Sequence, residues 1–352
     1  MSENSGRRAF FAAANSGDGF VSIFEDTFFG DNIRKRYIIK GGPGTGKSSF
    51  MRRVGSFAEK RGAEVEYYYC SSDTNSLDGL IINGEIAMLD GTAPHSYDTV
   101  APGYIDCLID LGRFWREEQL EKNKIELKKL SAEKKSAYSR AYGYLSAALK
   151  ASLVADKLIF PCVMMDKMRC AAARDVAKLG LSSGGNIIIK QTEAMGTQGE
   201  TYLPTLTGCA TRVHYVENIY GISSLYLGEL EQIAKKEKYG AMISYDTVDR
   251  RKVREIFFTE TADCFTSIPH QMSDEWSKIN MKRFIDAPAF AEVRRKYRAT
   301  TQCTAHLRLL AAEALAEAGK AHSELEKYYV SSMDFAALEK YCREFLDKLS
   351  PL

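Results

Sequence analysis

Apolar residues along this chain come in two textures. Short dense runs rich in β-branched and aromatic residues predict strands, and stripes at three-to-four spacing predict helices. Tyr37-Ile38-Ile39 is the first clear strand. Behind it Phe50, Val54, Phe57 and Ala58 repeat at helical spacing, and Gly62 supplies a stop. Residues 63–70 predict the next strand and residues 71–79 are rich in turn formers. Ile86-Ala87-Met88-Leu89-Asp90 then gives four apolar residues closing on an acid. Strands alternating with a helix in this order predict an α/β layer. Over residues 113–135 more than half of the side chains are charged, yet Leu120, Leu127 and Leu130 keep an apolar stripe. The stripe continues through Ala137, Ala141, Leu145 and Ala148 toward Leu153. A long amphipathic arm at about 113–155 is expected, as one helix or as a hairpin broken near Gly143. Residues 307–329 and 335–349 predict two further helices.

The pattern then recurs. Arg212-Val213-His214-Tyr215-Val216 echoes Arg36-Tyr37-Ile38-Ile39-Lys40, and Gly221-Ile222-Ser223-Ser224-Leu225 falls where Gly46-Lys47-Ser48-Ser49-Phe50 falls. Residues 239–245 match 61–67, and Ile268-Pro269-His270 mirrors Ala93-Pro94-His95. Late in each half, residues 326–334 are similar to residues 156–166. Repeats at constant order and spacing predict duplicated units. The expected organisation is therefore two three-layer α/β domains, 1–185 and 186–352, with mainly parallel sheets, each followed by long helices. A chance similarity is the plainer alternative.

Chemistry concentrates in the first unit. Gly41-x-x-x-x-Gly46-Lys47-Ser48 fits the phosphate-binding loop pattern, with a strand before it and a helix after it. Glycines let successive backbone N–H groups turn inward around an anion, and the helix N-terminus adds partial positive charge. The expected nucleotide-binding positions are Gly41, Gly42, Pro43, Gly44, Thr45, Gly46, Lys47, Ser48 and Ser49. Lys47 is expected at the β and γ phosphates, and Ser48 with Asp90 at Mg²⁺. Asp73, at a strand tip, joins Lys47 and Asp90 as a candidate catalytic residue that would hold a water or an acceptor hydroxyl, although Ser-Ser-Asp-Thr-Asn is also turn chemistry. Asp78 and His95 are weaker candidates, read first as local loop residues. Gly91 follows Asp90 where a water-activating Glu would stand in many motors, and the guanine-reading Asn-Lys-x-Asp motif is missing. The expected ligands are thus ATP and Mg²⁺. In the repeat, the match places Ile222 at Lys47 and Phe265 at Asp90, and Val216, Glu217, Asn218, Ile219 and Tyr220 precede Gly221. The second unit reads as a degenerate copy.

Composition narrows the setting. In 352 residues Lys plus Arg is 48 and Asp plus Glu 46, a net charge of +2 that gives no whole-molecule field for nucleic acid. A local basic cluster, Lys282-Arg283 with Arg294-Arg295-Lys296 and Arg298, leaves strand binding as a weaker option and reads first as a solvated helix face. The 8 cysteines show no Cys-x-x-Cys pair, as expected of reduced thiols in the cytoplasm. No run approaches the ~18 apolar residues of a membrane span.

Beyond the phosphate loop, Tyr69-Cys70-Ser71-Ser72-Asp73 with Ser76-Leu77-Asp78-Gly79, Asp90-Gly91-Thr92-Ala93-Pro94-His95, and Leu325-Glu326-Lys327-Tyr328-Tyr329 with Met333-Asp334-Phe335 stand out. Across most of its length the chain resembles a poorly characterised family of bacterial tandem P-loop ATPase-like proteins, met mainly in spore-forming bacteria. The resemblance implies two P-loop NTPase domains and ATP binding without a settled reaction. Members of that family can carry a phosphate loop in both halves, and this chain departs from the pattern at Ile222. Three activities follow as expectations: a slow ATPase acting as a switch on a protein partner, a small-molecule or nucleotide kinase, and a non-catalytic nucleotide-binding module.

Overall fold

In a computed structural model that describes residues 8–93, 96–269 and 273–349, the apolar runs become strands and the stripes become helices. The first half holds β1 (Arg8–Phe11), β2 (Ala13–Ser16), β3 (Gly19–Ser22), α1 (Phe24–Phe28), β4 (Lys35–Lys40), α2 (Lys47–Glu59), β5 (Val65–Tyr69), β6 (Leu77–Ile82), β7 (Ile86–Asp90) and β8 (Asp106–Asp110). The helices α3 (Glu117–Lys122), α4 (Lys124–Ile159) and α5 (Met165–Ala177) follow. The second half runs through β9 (Ile187–Ile189), β10 (Glu193–Gly196), β11 (Gly199–Tyr202), α6 (Thr205–Gly208), β12 (Arg212–Val216), α7 (Ser223–Glu237), β13 (Ala241–Tyr245), β14 (Val253–Phe258), β15 (Asp263–Thr266) and β16 (Ser277–Ile279). It ends with α8 (Ala287–Ser331) and α9 (Phe335–Lys348).

Both sheets have six strands, ordered β1-β5-β6-β7-β4-β8 and β9-β13-β14-β15-β12-β16, so the repeat extends to strand order. The sheets are mixed rather than simply parallel. Only β6 and β14 run against their neighbours, because each is reached by a short connection that allows an antiparallel return. Asn83 and Gly84, at φ 50° and 69°, make the tight turn from β6 to β7. The remaining strands of the first sheet point the same way, and this brings the ends of β4, β5 and β7 to one edge. Ligands of open α/β sheets gather outside such carboxyl ends.

α4 is one continuous helix through Gly143, so of the two expected forms of the arm the unbroken helix holds there. α8 is longer than its sequence stripe suggested, because Asp286 caps its start by accepting from the Ala289 N–H at 3.2 Å and Pro288 sits in its first turn. The two long helices run antiparallel. Trp115 bridges Met333 at one end and Val163 bridges Ile285 at the other. Adding 170 to either first-half number gives the second-half residue of the other bridge, so the bridges are related by a pseudo-two-fold exchange.

The terminal helices cross between halves. Leu338, Cys342, Phe345 and Leu349 of α9 and the segment beyond it share a core with Phe50, Met51, Val54 and Ala58 of α2. Met168, Ala171, Ala172 and Val176 of α5 reciprocate against Tyr226, Leu227 and Leu230 of α7. A third core joins the opposite sheet faces, with Phe10, Ile38, Tyr68 and Leu89 meeting Phe257 and Cys264. Pro94, His95 and His270 lie outside the described residues.

Candidate functional site

The loop between β4 and α2 is built by its glycines. Gly44 and Gly46 adopt φ 67° and 79°, a region costly for other residues. Thr45 is buried, and its hydroxyl donates to the Gly42 carbonyl at 2.9 Å. Lys47 opens α2 and folds back, donating to the carbonyls of Gly41 at 2.6 Å and Gly42 at 2.9 Å. Its ammonium stands 3.5 Å from Asp90 Oδ2. Asp90 Oδ1 accepts the Thr92 N–H at 2.8 Å, and the Thr92 hydroxyl donates to the Gly41 carbonyl at 2.8 Å. Burial pushes the Asp90 carboxyl above its ordinary value, with Lys47 pulling the other way. Ser48 Oγ accepts the Leu77 N–H at 3.0 Å, which ties the loop to the start of β6. Pro43 is half-buried on the loop, and Ser49 is exposed on its outer side.

Asp73 occupies the turn after β5. Its Oδ1 accepts the Asn75 N–H at 3.0 Å and its Oδ2 the Ser76 hydroxyl at 2.8 Å, so it shapes its own loop. Asp78 is buried on β6 beside Leu77.

The second half covers this loop. A Cβ placed on Gly44 would lie 2.8 Å from Val330 Cγ2 and 3.2 Å from the Glu326 carbonyl, and one on Gly46 would lie 3.3 Å from Leu338. The Trp115 ring reaches within 3.0 Å of the same position on Gly42 and lies tilted against Tyr329 at 5.4 Å between centroids. From α4, Tyr138 bonds Ser72, and the Tyr142 hydroxyl donates to Asn15 Oδ1 at 2.8 Å. One turn earlier, Lys134 Nζ meets His322 Nδ1 of α8 at 3.0 Å. Burial, then the neighbouring Lys134 charge, takes the His322 ring down to about 4, so it is neutral near pH 7. Glu326, Tyr329 and Val330 lie in a segment that the sequence singled out, whereas Trp115, Lys134, Tyr138, Tyr142 and His322 were not singled out. The four-residue spacing of Lys134, Tyr138 and Tyr142 was the available signal, hidden inside a charge run.

The corresponding region of the second half is filled. Register sets the correspondence: Leu89 pairs with Gly79 as Thr266 pairs with Glu255, so Ser267, not Phe265, stands where Asp90 does. The buried face of α2 at Phe50, Met51, Val54 and Ala58 matches Tyr226, Leu227, Leu230 and Ala234 of α7, which puts Ser223, not Ile222, at the Lys47 position. Ile222 is instead a core residue, and Tyr220 packs on Phe290 at 4.2 Å between centroids. Where the first half has Cys70 and Asp78, the second has Asp246 and Arg254. Arg308 reaches Asp246 at 3.4 Å and Glu200 at 2.7 Å, and Arg254 reaches Glu193 at 3.0 Å. Arg308 and Arg254 together hold Asp246 down to about 2. This ion-pair network satisfies the copy from within.

Two protein oxygens flank the loop, Ser48 Oγ, which accepts the Leu77 N–H, and Asp90 Oδ2, beside the Lys47 ammonium. That donor set suits Mg²⁺, which takes few protein ligands and completes its shell with phosphate and water. Among the described residues no group of three or more His, Cys, Asp or Glu forms a protein cage for a metal, and no helix is long and apolar enough to cross a membrane. Comparison with protein-family models, with curated proteins and with solved structures returned no match to this chain.

Proposed function

We propose that the chain is a tandem P-loop ATPase-like protein that binds Mg·ATP at residues 41–48 and hydrolyses it slowly, as a switch read through its second half. One observation carries the reading. Lys47 closes on its own glycine carbonyls beside Asp90, at the mouth of a left-handed loop and a helix N-terminus. Backbone N–H groups, helix end and ammonium are the elements of an anion site, which supports phosphate binding here. With phosphate present, Lys47 would exchange carbonyl oxygens for phosphate oxygens. Asp90 and Ser48 would hold the magnesium, which neutralises charge on the phosphates. The cover supplied by Glu326, Val330 and Leu338 supports a switch, because the loop cannot rearrange without disturbing α8 and α9. Asp73 spends both oxygens on its own turn, which weighs for hydrolysis or binding over transfer to an acceptor. Phosphate release measured for the natural protein and Lys47→Ala tests the proposal. A drop of about 10²–10³ in rate is expected from losing one preorganised charge. Equal rates would refute the assignment.

A further inference from the structure

We propose that Lys134, held by His322, is a second cationic ligand for the terminal phosphate, brought to the loop by the crossing of α4 and α8. This rests on the nucleotide reading and names a contact that the phosphate-loop motif does not supply.

Two helices place the pair. On α4, Lys134 lies one turn, about 6 Å of helix rise, before Tyr138, whose hydroxyl meets Ser72 in the β5–β6 loop. On α8, His322 lies about 6 Å before Glu326, whose carbonyl packs against Gly44 of the phosphate loop. The Lys134–His322 contact of 3.0 Å is thereby bracketed between the loop after β5 and the loop after β4. Lys47, Cys70, Asp73 and Glu326 are the charged or titratable groups whose fields reach the pair.

The Lys134 charge has no carboxylate in direct contact, with Glu326 and Asp73 acting only at longer range. Among the described residues no carboxylate lies within 4.0 Å of the Lys134 ammonium, and its partner is a ring nitrogen. The ammonium is partly buried, and the positive charge of Lys47 opposes it. Two cations that repel each other, with one neutral acceptor on Lys134, is an arrangement that an anion between them would relieve. His322 Nδ1 accepts one N–H of Lys134 and leaves two to aim at phosphate.

The duplicated half provides an internal comparison. The 170-residue relation of the two bridges places Thr304 opposite Lys134 and Ser152 opposite His322. Neither can supply a cation, and Ser152 instead accepts from Lys252 at 2.9 Å. The lysine at the equivalent place in the second half, Lys252, is paired with Asp156 at 2.8 Å, whereas Lys134 has no carboxylate within 4.0 Å among the described residues.

The test is equilibrium binding of Mg·ADP and of a non-hydrolysable Mg·ATP analogue to the full chain, to Lys134→Met and to Lys134→Arg. Met keeps the stem, and ADP affinity reports an intact loop. The expected result is ADP binding within about twofold of the natural protein in both variants, with the triphosphate analogue weakened about tenfold or more in Lys134→Met, near 1.4 kcal/mol, and largely restored in Lys134→Arg. Unchanged discrimination between the two nucleotides, or an equal loss of both, overturns the role of Lys134 while leaving the nucleotide site standing. Binding of neither nucleotide to the natural protein removes the underlying reading and this contact with it.

Discussion

Glu255 is buried on β14, where its carboxylate accepts hydroxyl hydrogen bonds from Thr192 at 2.5 Å and Tyr202 at 2.8 Å. Burial outweighs these bonds, and the nearby Glu193 adds to it, so the group is pushed up to about 7. The folded state therefore binds a proton more tightly than the unfolded chain. Between the ordinary glutamate value and about 7, stability falls as pH rises, with a slope up to about 1.4 kcal/mol per pH unit, and it levels off above that window. Glu255→Gln should remove this part of the pH dependence, read as the urea midpoint from pH 5 to 8. An unchanged slope would show that Glu255 is ionised throughout. At this scale the glycine loop between β4 and α2 was legible because its backbone demands are written as glycines. Lys134 was not, since a helical stripe beneath charged residues looks the same whether it faces solvent or a site.

Elements meet at the glycine loop. Gly44→Ala would place a methyl 2.8 Å from Val330 on a left-handed backbone. The conformational cost is about 1–2 kcal/mol, with more from the overpacked contact. The loss should appear in denaturant unfolding and should be smaller when Val330 is also reduced to Ala, because the two share a contact. Additive losses would mean that α8 does not press on the loop. Phe345→Ala, in α9, should cost about 3–5 kcal/mol, since its ring packs on Phe50 at 5.1 Å and on Tyr37 at 5.1 Å. The stripe of α9 was readable, but the sheet it covers was not. Hydrophobic periodicity fixes which face is buried and leaves the partner to the path of the chain. The duplicated half was readable for a similar reason, although its register was off by one residue already in β12: Tyr215 pairs with Thr266 as Ile38 pairs with Leu89, an offset of 177 where the sequence match used 176.

For the whole molecule, the exchanged helices make the halves interdependent. Residues 1–185 lack α9, and residues 186–352 lack α5, so each piece alone would expose the apolar surface that its missing helix covers. Expressed together, the two pieces should copurify and fold, whereas each alone should aggregate or bind hydrophobic dye. A soluble, cooperatively unfolding 1–185 fragment would contradict this. The second half then has a physical role, holding α8 and α9 over the loop that carries Lys47. Titration calorimetry of the full chain with ATP in magnesium buffer, repeated on Lys47→Ala, tests the account most directly. One nucleotide per chain, with affinity reduced at least tenfold in the variant, is the predicted result. No heat with the natural protein, or equal binding by the variant, would contradict it.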